Sequence, residues 1–150
     1  MTLEKIRRVV LSTTTKKRAG RGFFSLFTCL LPLLEQYEKN HIPLYVDWSG
    51  TSNYVDPRRG GNFFDYFFEQ PFISELTPGK YEIVEETDGV ELFDSFYEVS
   101  PSSSAYGFHP STRSKAVHLI SKYIKIKNNI LAKLEAFKQK NNFRPRQIGI

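Results

Sequence analysis

Cysteine is nearly absent: Cys29 stands alone among 150 residues. No intrachain disulfide can form, which excludes the disulfide-stapled scaffolds, and a thiol inside the apolar run 23–34 reads as a core residue. Long hydrophobic stretches are lacking too, because that run carries Pro32 and falls short of the ~18 residues a membrane span needs. Glu4, Lys5, Arg7 and Arg8 lie where a signal peptide would turn apolar, so the expected location is cytoplasmic. No Gly-Lys-Ser/Thr follows the glycines at 20 and 22, which excludes a P-loop. His41, His109 and His118 show no ligand spacing, so no metal site is expected. Ser102, Ser103 and Ser104 have no elbow around them and read as a loop.

Acids are scarce at both ends. Residues 1–23 hold seven Lys/Arg against Glu4, residues 24–100 hold four against fourteen acids, and residues 101–150 hold ten against Glu135. The net charge of +5 therefore hides a basic–acidic–basic order. No strand interleaves aromatic and basic residues into a stacking platform, so nucleic acid is not an expected partner. Solvated helix faces account for part of this pattern, and basic ends that meet beside an anionic ligand would account for the rest.

What the chain does have is aromatic residues, 15% of the total, in a length suited to one domain with one core. The run Val9, Val10, Leu11 predicts a strand over Arg7–Thr13 buried on both faces, hence paired in parallel. Phe24, Phe27, Leu30, Leu31 and Leu34 recur at helical spacing and predict a helix over Phe23–Asn40, stopped by His41-Ile42-Pro43. A strand over 44–48 completes a βαβ unit. Beyond it the pattern predicts a turn-rich loop over 56–61, a short aromatic helix over 62–69 and a strand near 81–84. Pro110, Ser111 and Thr112 supply a cap for one long helix over 113–140, with Lys127 inside its apolar stripe marking a snorkelling stem or a kink at Asn128 and Asn129. A basic turn then leads into a strand over 147–150. The fold class is α/β, Rossmann-like, with a mostly parallel sheet flanked by helices.

Chemistry concentrates at Gly20, Arg21, Gly22, Phe23 and Phe24, a glycine-bearing turn between a buried strand and a helix N-terminus, where free N–H groups favour a phosphate or carboxylate. As a dinucleotide fingerprint it has Ser25 where a third glycine belongs, with Asp47 in the ribose-binding place. Glycines of a tight turn with positive φ are the structural alternative. Asp47, Asp56, Asp65 and Glu69 are the carboxylates available for general-base work.

The segment 137–150, Phe-Lys-Gln-Lys-Asn-Asn-Phe-Arg-Pro-Arg-Gln-Ile-Gly-Ile, resembles the lead-in to the donor motif of the fucosyltransferase-like superfamily, which includes the rhizobial NodZ type, α1,6-fucosyltransferases and protein O-fucosyltransferases. Tyr45-Val46-Asp47-Trp48, Tyr54 and the stretch from Gly61-Asn62-Phe63 to Glu69 are similar to the strand, tyrosine loop and Asn-aromatic stretch of that family. The turn at 20–24 falls where the superfamily carries a glycine-rich first turn facing the donor cleft, although the Asn residues of the O-fucosylating branch are missing.

The resemblance implies the N-terminal Rossmann-like domain of a GT-B glycosyltransferase. It implies a GDP-sugar donor, GDP-fucose first, a glycan or other acceptor, and an inverting reaction without a metal. On it, Gly20 to Phe24 are candidate donor contacts and Trp48, Tyr54 and Phe63 candidate acceptor contacts, with no catalytic residue assigned. It also leads to the expectation that the reading frame runs past Ile150 into His-x-Arg and a second, donor-binding domain, so that these 150 residues alone transfer no sugar. A stand-alone anion- or nucleotide-binding α/β domain without catalysis is the other reading.

Overall fold

The computed structural model describes residues 7–13, 22–50, 54–87, 97–99, 106–108 and 110–143. Strand β1 (Arg7–Thr13) runs between β2 (Leu44–Asp47) and β4 (Tyr81–Thr87), parallel to both, giving the sheet order β2-β1-β4. Val9 and Leu11 are buried on one face while Val10 packs against the helix-side core on the other. A strand covered on both faces is what its unbroken apolar run requires. The register slips between Val9 and Val10, where β4 carries a bulge at Val84.

Helix α1 (Phe23–Asn40) occupies the expected span. Its residues 29–34 are all buried, because the sheet takes one side and α2 (Pro110–Tyr123) the next. His41 closes the helix in the left-handed region at φ 55°, its N–H donating to the Tyr37 carbonyl at 2.8 Å, and Pro43 prevents any continuation. Strand β2 then begins at once.

The expected aromatic helix over 62–69 is a single 3₁₀ turn, Phe63–Tyr66, followed by a two-residue strand β3 (Phe68–Glu69). A pair β5 (Tyr97–Val99) and β6 (Tyr106–Phe108) follows β4. The long helix expected over 113–140 is two helices. The first starts earlier, with Pro110 in the opening turn where its missing N–H costs nothing, so Ser111 and Thr112 lie inside it rather than capping it. It stops at Tyr123 because β7 (Lys125–Ile126) pairs antiparallel with β3, and the Lys127 N–H bonds the Phe67 carbonyl at 2.9 Å. The second helix, α3 (Asn128–Lys140), starts from Lys127 as its extended N-cap, and the Lys127 ammonium donates to the Asp65 carbonyl. The kink anticipated at Asn128 is thus a full break. The expected strand at 147–150 and turn at 14–21 lie outside the described residues. Among the described residues no helix is long and apolar enough to cross a membrane.

Charge fastens α2 to α1. Glu38 accepts from Lys122 at 2.9 Å, Tyr123 at 3.0 Å and His118 at 3.2 Å, while Glu35 accepts from Lys115 at 2.6 Å and Lys39 at 3.0 Å. The Lys122 ammonium, helped by Tyr123 and His118 against partial desolvation, holds the Glu38 carboxyl down at about 2. At Glu35 burial pushes upward, and the bonds from Lys115 and Lys39 override it to leave the carboxyl below its usual range. A carboxyl depressed in the fold stabilises above its unfolded value and loses that contribution as pH falls. Acidification from about 4.5 to about 2 should therefore weaken the helix pair through Glu38. Unfolding midpoints followed across that window should fall more steeply in the native chain than in Glu38→Gln; parallel curves would refute the assignment.

Candidate functional site

Three parallel strands end on one edge: Thr13 is level with Asp47, and Ser12 with Thr87. From β1 the chain first crosses to β2 on one side, and β4 then lies on the other side of β1. Open parallel sheets bind ligands outside the carboxyl ends where the strand order reverses. Here that point is the carboxyl edge between β1 and β4, while the first turn of α1 lies against the rings that follow β2, Phe23 approaching Trp48 and Phe63.

Helix α1 starts at Gly22, with φ −66° and ψ 154°, and no side chain caps its first turn. The first turn contains no acidic residue. Gly22 is in ordinary extended backbone, which removes the positive-φ explanation for glycine at this position. Among the described residues, a Cβ placed on it meets nothing within 4 Å. Gly22→Val should therefore fold, losing only the ~0.5–1 kcal/mol by which valine is the poorer N-cap, and Gly22→Asp should gain a few tenths of a kcal/mol as a true N-cap. Thermal melts check both, and a drop of more than about 1 kcal/mol in either would contradict the geometry.

The remaining candidates divide by burial. Phe23 is half-buried and touches Phe27 at 5.2 Å, Phe63 at 6.0 Å and Trp48 at 6.3 Å between ring centres. Phe24 is 80% exposed. Trp48 and Phe63 are buried in the core, and Tyr54 stacks on Phe63 at 4.9 Å with its own outer surface half open. Phe23 thus joins the donor set to the acceptor set in one aromatic cluster. Only Phe24, Tyr54 and part of Phe23 present rings to the surface, while Trp48 and Phe63 support them from beneath. Gly20 and Arg21 lie outside the described residues.

The loop leaving β2 is held by polar side chains, Asn62 and Gln70, whose bracing role the sequence does not announce. Asn62 Oδ1 accepts from the N–H groups of Trp48 at 2.8 Å and Phe64 at 3.2 Å, and its Nδ2 donates to the Val46 carbonyl at 2.7 Å and to Asp65 at 2.9 Å. Gln70 closes the same edge, accepting from the Val46 N–H at 3.0 Å and donating to the Val46 carbonyl at 2.8 Å and to Asp65 at 2.8 Å. Two primary amides therefore act as the missing neighbour strand of β2. Desolvation, with Asp65 second, pushes the Tyr45 hydroxyl above its ordinary value. The Tyr66 hydroxyl accepts from the Asp56 N–H at 2.9 Å and has the Asp56 and Gly60 carbonyls within reach of its single proton, and Arg59 lies over the Tyr66 ring at 4.6 Å.

These bonds also occupy three of the four candidate bases, Glu69 being exposed on β3. Asp47 accepts from the Ser49 N–H at 2.9 Å, Asp65 serves Asn62 and Gln70, and Asp56 is gripped by Arg58, whose side-chain and backbone bonds lower its carboxyl. Among the described residues no group of three or more His, Cys, Asp or Glu side chains could hold a metal ion. The site as described can bind and orient. It sets out no proton-transfer machinery. No protein-family model, curated protein or solved structure matches this chain.

Proposed function

We propose that this chain is the Rossmann-like, N-terminal part of a GT-B glycosyltransferase of the fucosyltransferase-like type, receiving its sugar from a GDP-sugar, GDP-fucose in first place. The observation that carries the reading is the reversal of strand order beside β1, with the helix that follows β1 opening at Gly22 without a side-chain cap bond from that residue. Such an edge suits a phosphate-bearing donor. The open rings of Phe24 and Tyr54 suit the apolar face of a sugar, and both belong to the cluster that Phe23 joins. In this reading a second domain would neutralise the diphosphate, and this one would orient the acceptor.

The test is transfer of fucose from GDP-fucose by the protein encoded by the complete gene, followed by Phe24→Ala and Tyr54→Ala. Loss of turnover by tenfold or more with unchanged melting temperature in either variant supports the reading. Absence of both GDP binding and sugar transfer overturns it.

A further inference from the structure

One cation of the loop after β2 is fixed in place by rings and not by an acid. Pro57–Arg59 is a single 3₁₀ turn that starts from the Asp56 side chain and ends at Gly60, whose φ of 100° redirects the chain. The Tyr66 hydroxyl pins both ends of the turn, meeting the Asp56 N–H at 2.9 Å and the Gly60 carbonyl at 2.5 Å. Arg58 grips both carboxylate oxygens of Asp56 at 3.1 Å. Arg59 instead lays its guanidinium over the Tyr66 ring at 4.6 Å and over the Phe67 ring at 5.4 Å, with one terminal nitrogen 3.5 Å from the Tyr66 carbonyl.

Among the described residues no carboxylate lies within ion-pair distance of Arg59. The two acids of its own stretch are engaged elsewhere, Asp56 by Arg58 and Asp65 by Asn62 and Gln70. A guanidinium held over rings by its face is fixed in direction, and its in-plane donors match a carboxylate or sulfate two at a time. The same guanidinium adjoins the open rings. Tyr66 and Phe67 each meet Phe63 at 5.5 Å, and Phe63 carries Tyr54 on its face at 4.9 Å. Cation and half-open ring therefore share one patch on the loop that leaves the carboxyl end of β2.

We propose that this patch is a subsite for an acidic sugar, the Tyr54 ring taking the apolar face of the sugar and the Arg59 guanidinium its carboxylate or sulfate. The proposal rests on the glycosyltransferase reading and narrows its acceptor to anionic glycans. The donor diphosphate is the other oxyanion in that reading. Arg59 goes to the acceptor because it sits with the Tyr54 cluster after β2, on the far side of β1 from β4 and the point where strand order reverses.

The test applies the protein encoded by the complete gene to an array of neutral, uronate-bearing and sulfated oligosaccharides, with GDP affinity measured beside it. The native protein should prefer the acidic glycans. Arg59→Ala should weaken that binding about tenfold or more, as loss of a charged two-bond contact does. Arg59→Lys keeps the charge but not the fork and should recover only part of it, while Lys133→Ala removes one charge from α3 and should leave it unchanged, each at the native melting temperature. Binding to no acidic glycan, or equally to neutral ones, overturns the proposal, as does acidic binding that falls as far in Lys133→Ala as in Arg59→Ala. A lowered melting temperature in Arg59→Ala with glycan binding intact overturns it by making Arg59 a brace, and a lowered GDP affinity with glycan binding intact overturns it by giving the cation to the donor. Arg59-dependent binding of acidic glycans by a protein that neither binds GDP nor transfers sugar upholds the subsite and overturns the transferase reading alone.

Discussion

Trp48→Ala should cost about 3–5 kcal/mol, the range expected for emptying a large buried aromatic site, and so remove a large share of the ~5–15 kcal/mol that holds a domain of this size together. The ring is 2% exposed. Phe27 meets it edge-on at 5.5 Å and Phe64 at 5.1 Å, Phe63 stacks on it at 6.2 Å, and Phe23 approaches at 6.3 Å. Each of those neighbours is itself part of the wall between α1 and the loop that leaves β2, so the cavity cannot collapse without moving one of them. The measurement is the urea midpoint, beside that of Trp48→Phe, which keeps most of the volume and should lose less than half as much. A second outcome bears on function. On the proposed glycosyltransferase reading, because Trp48 lies under the surface rings, Trp48→Phe should leave acceptor affinity untouched, whereas Tyr54→Ala should weaken it with little change in stability. An acceptor KM that rises in Trp48→Phe with no loss of stability would put the indole itself against the acceptor.

The elements whose patterns depend on their own residues were legible. Val9, Val10 and Leu11 could only be a strand covered on both faces, and the apolar spacing of α1 ended where Pro43 made a stop unavoidable. The break between α2 and α3 was not legible, because the apolar spacing runs unbroken from Leu119 through Tyr123 and Ile126 to Ile130. What interrupts it is pairing with Phe68 and Glu69, more than fifty residues away. Aromatic content indicated a cluster but not which rings would lie within it, since Trp48 and Tyr54 differ in burial only through the packing of Phe63 between the sheet and the loop. The glycine at 22 was legible as a helix start. Its extended backbone was not, because glycine permits both signs of φ.

Asn62 was the least visible of the residues that hold this edge, and its removal should have the second-largest effect. Its four bonds reach the Trp48 and Phe64 N–H groups, the Val46 carbonyl and the Asp65 carboxylate. A single Asn in a turn predicts only a local cap, and here it does cap the 3₁₀ turn through Phe64. Two other partners are backbone groups of β2 and of the residue just after it, sixteen and fourteen residues earlier, which no local pattern announces. Asn62→Ala would leave the Trp48 N–H without its acceptor next to the aromatic core, and a buried donor left unpaired costs ~1–3 kcal/mol; with the cap lost as well, we expect about 2–4 kcal/mol. Asn62→Asp separates the two halves of the side chain. It keeps an acceptor for Trp48 and Phe64 but loses the donor to Val46, and it sets a second carboxylate against Asp65. At neutral pH it should be at least as damaging as alanine. Asp65→Asn placed on top of it should recover part of the loss, because the amide then sits across the same 2.9 Å contact in the opposite order. Urea denaturation of the two single variants and the double variant reads this directly. Additive losses would mean that Asn62 and Asp65 act independently.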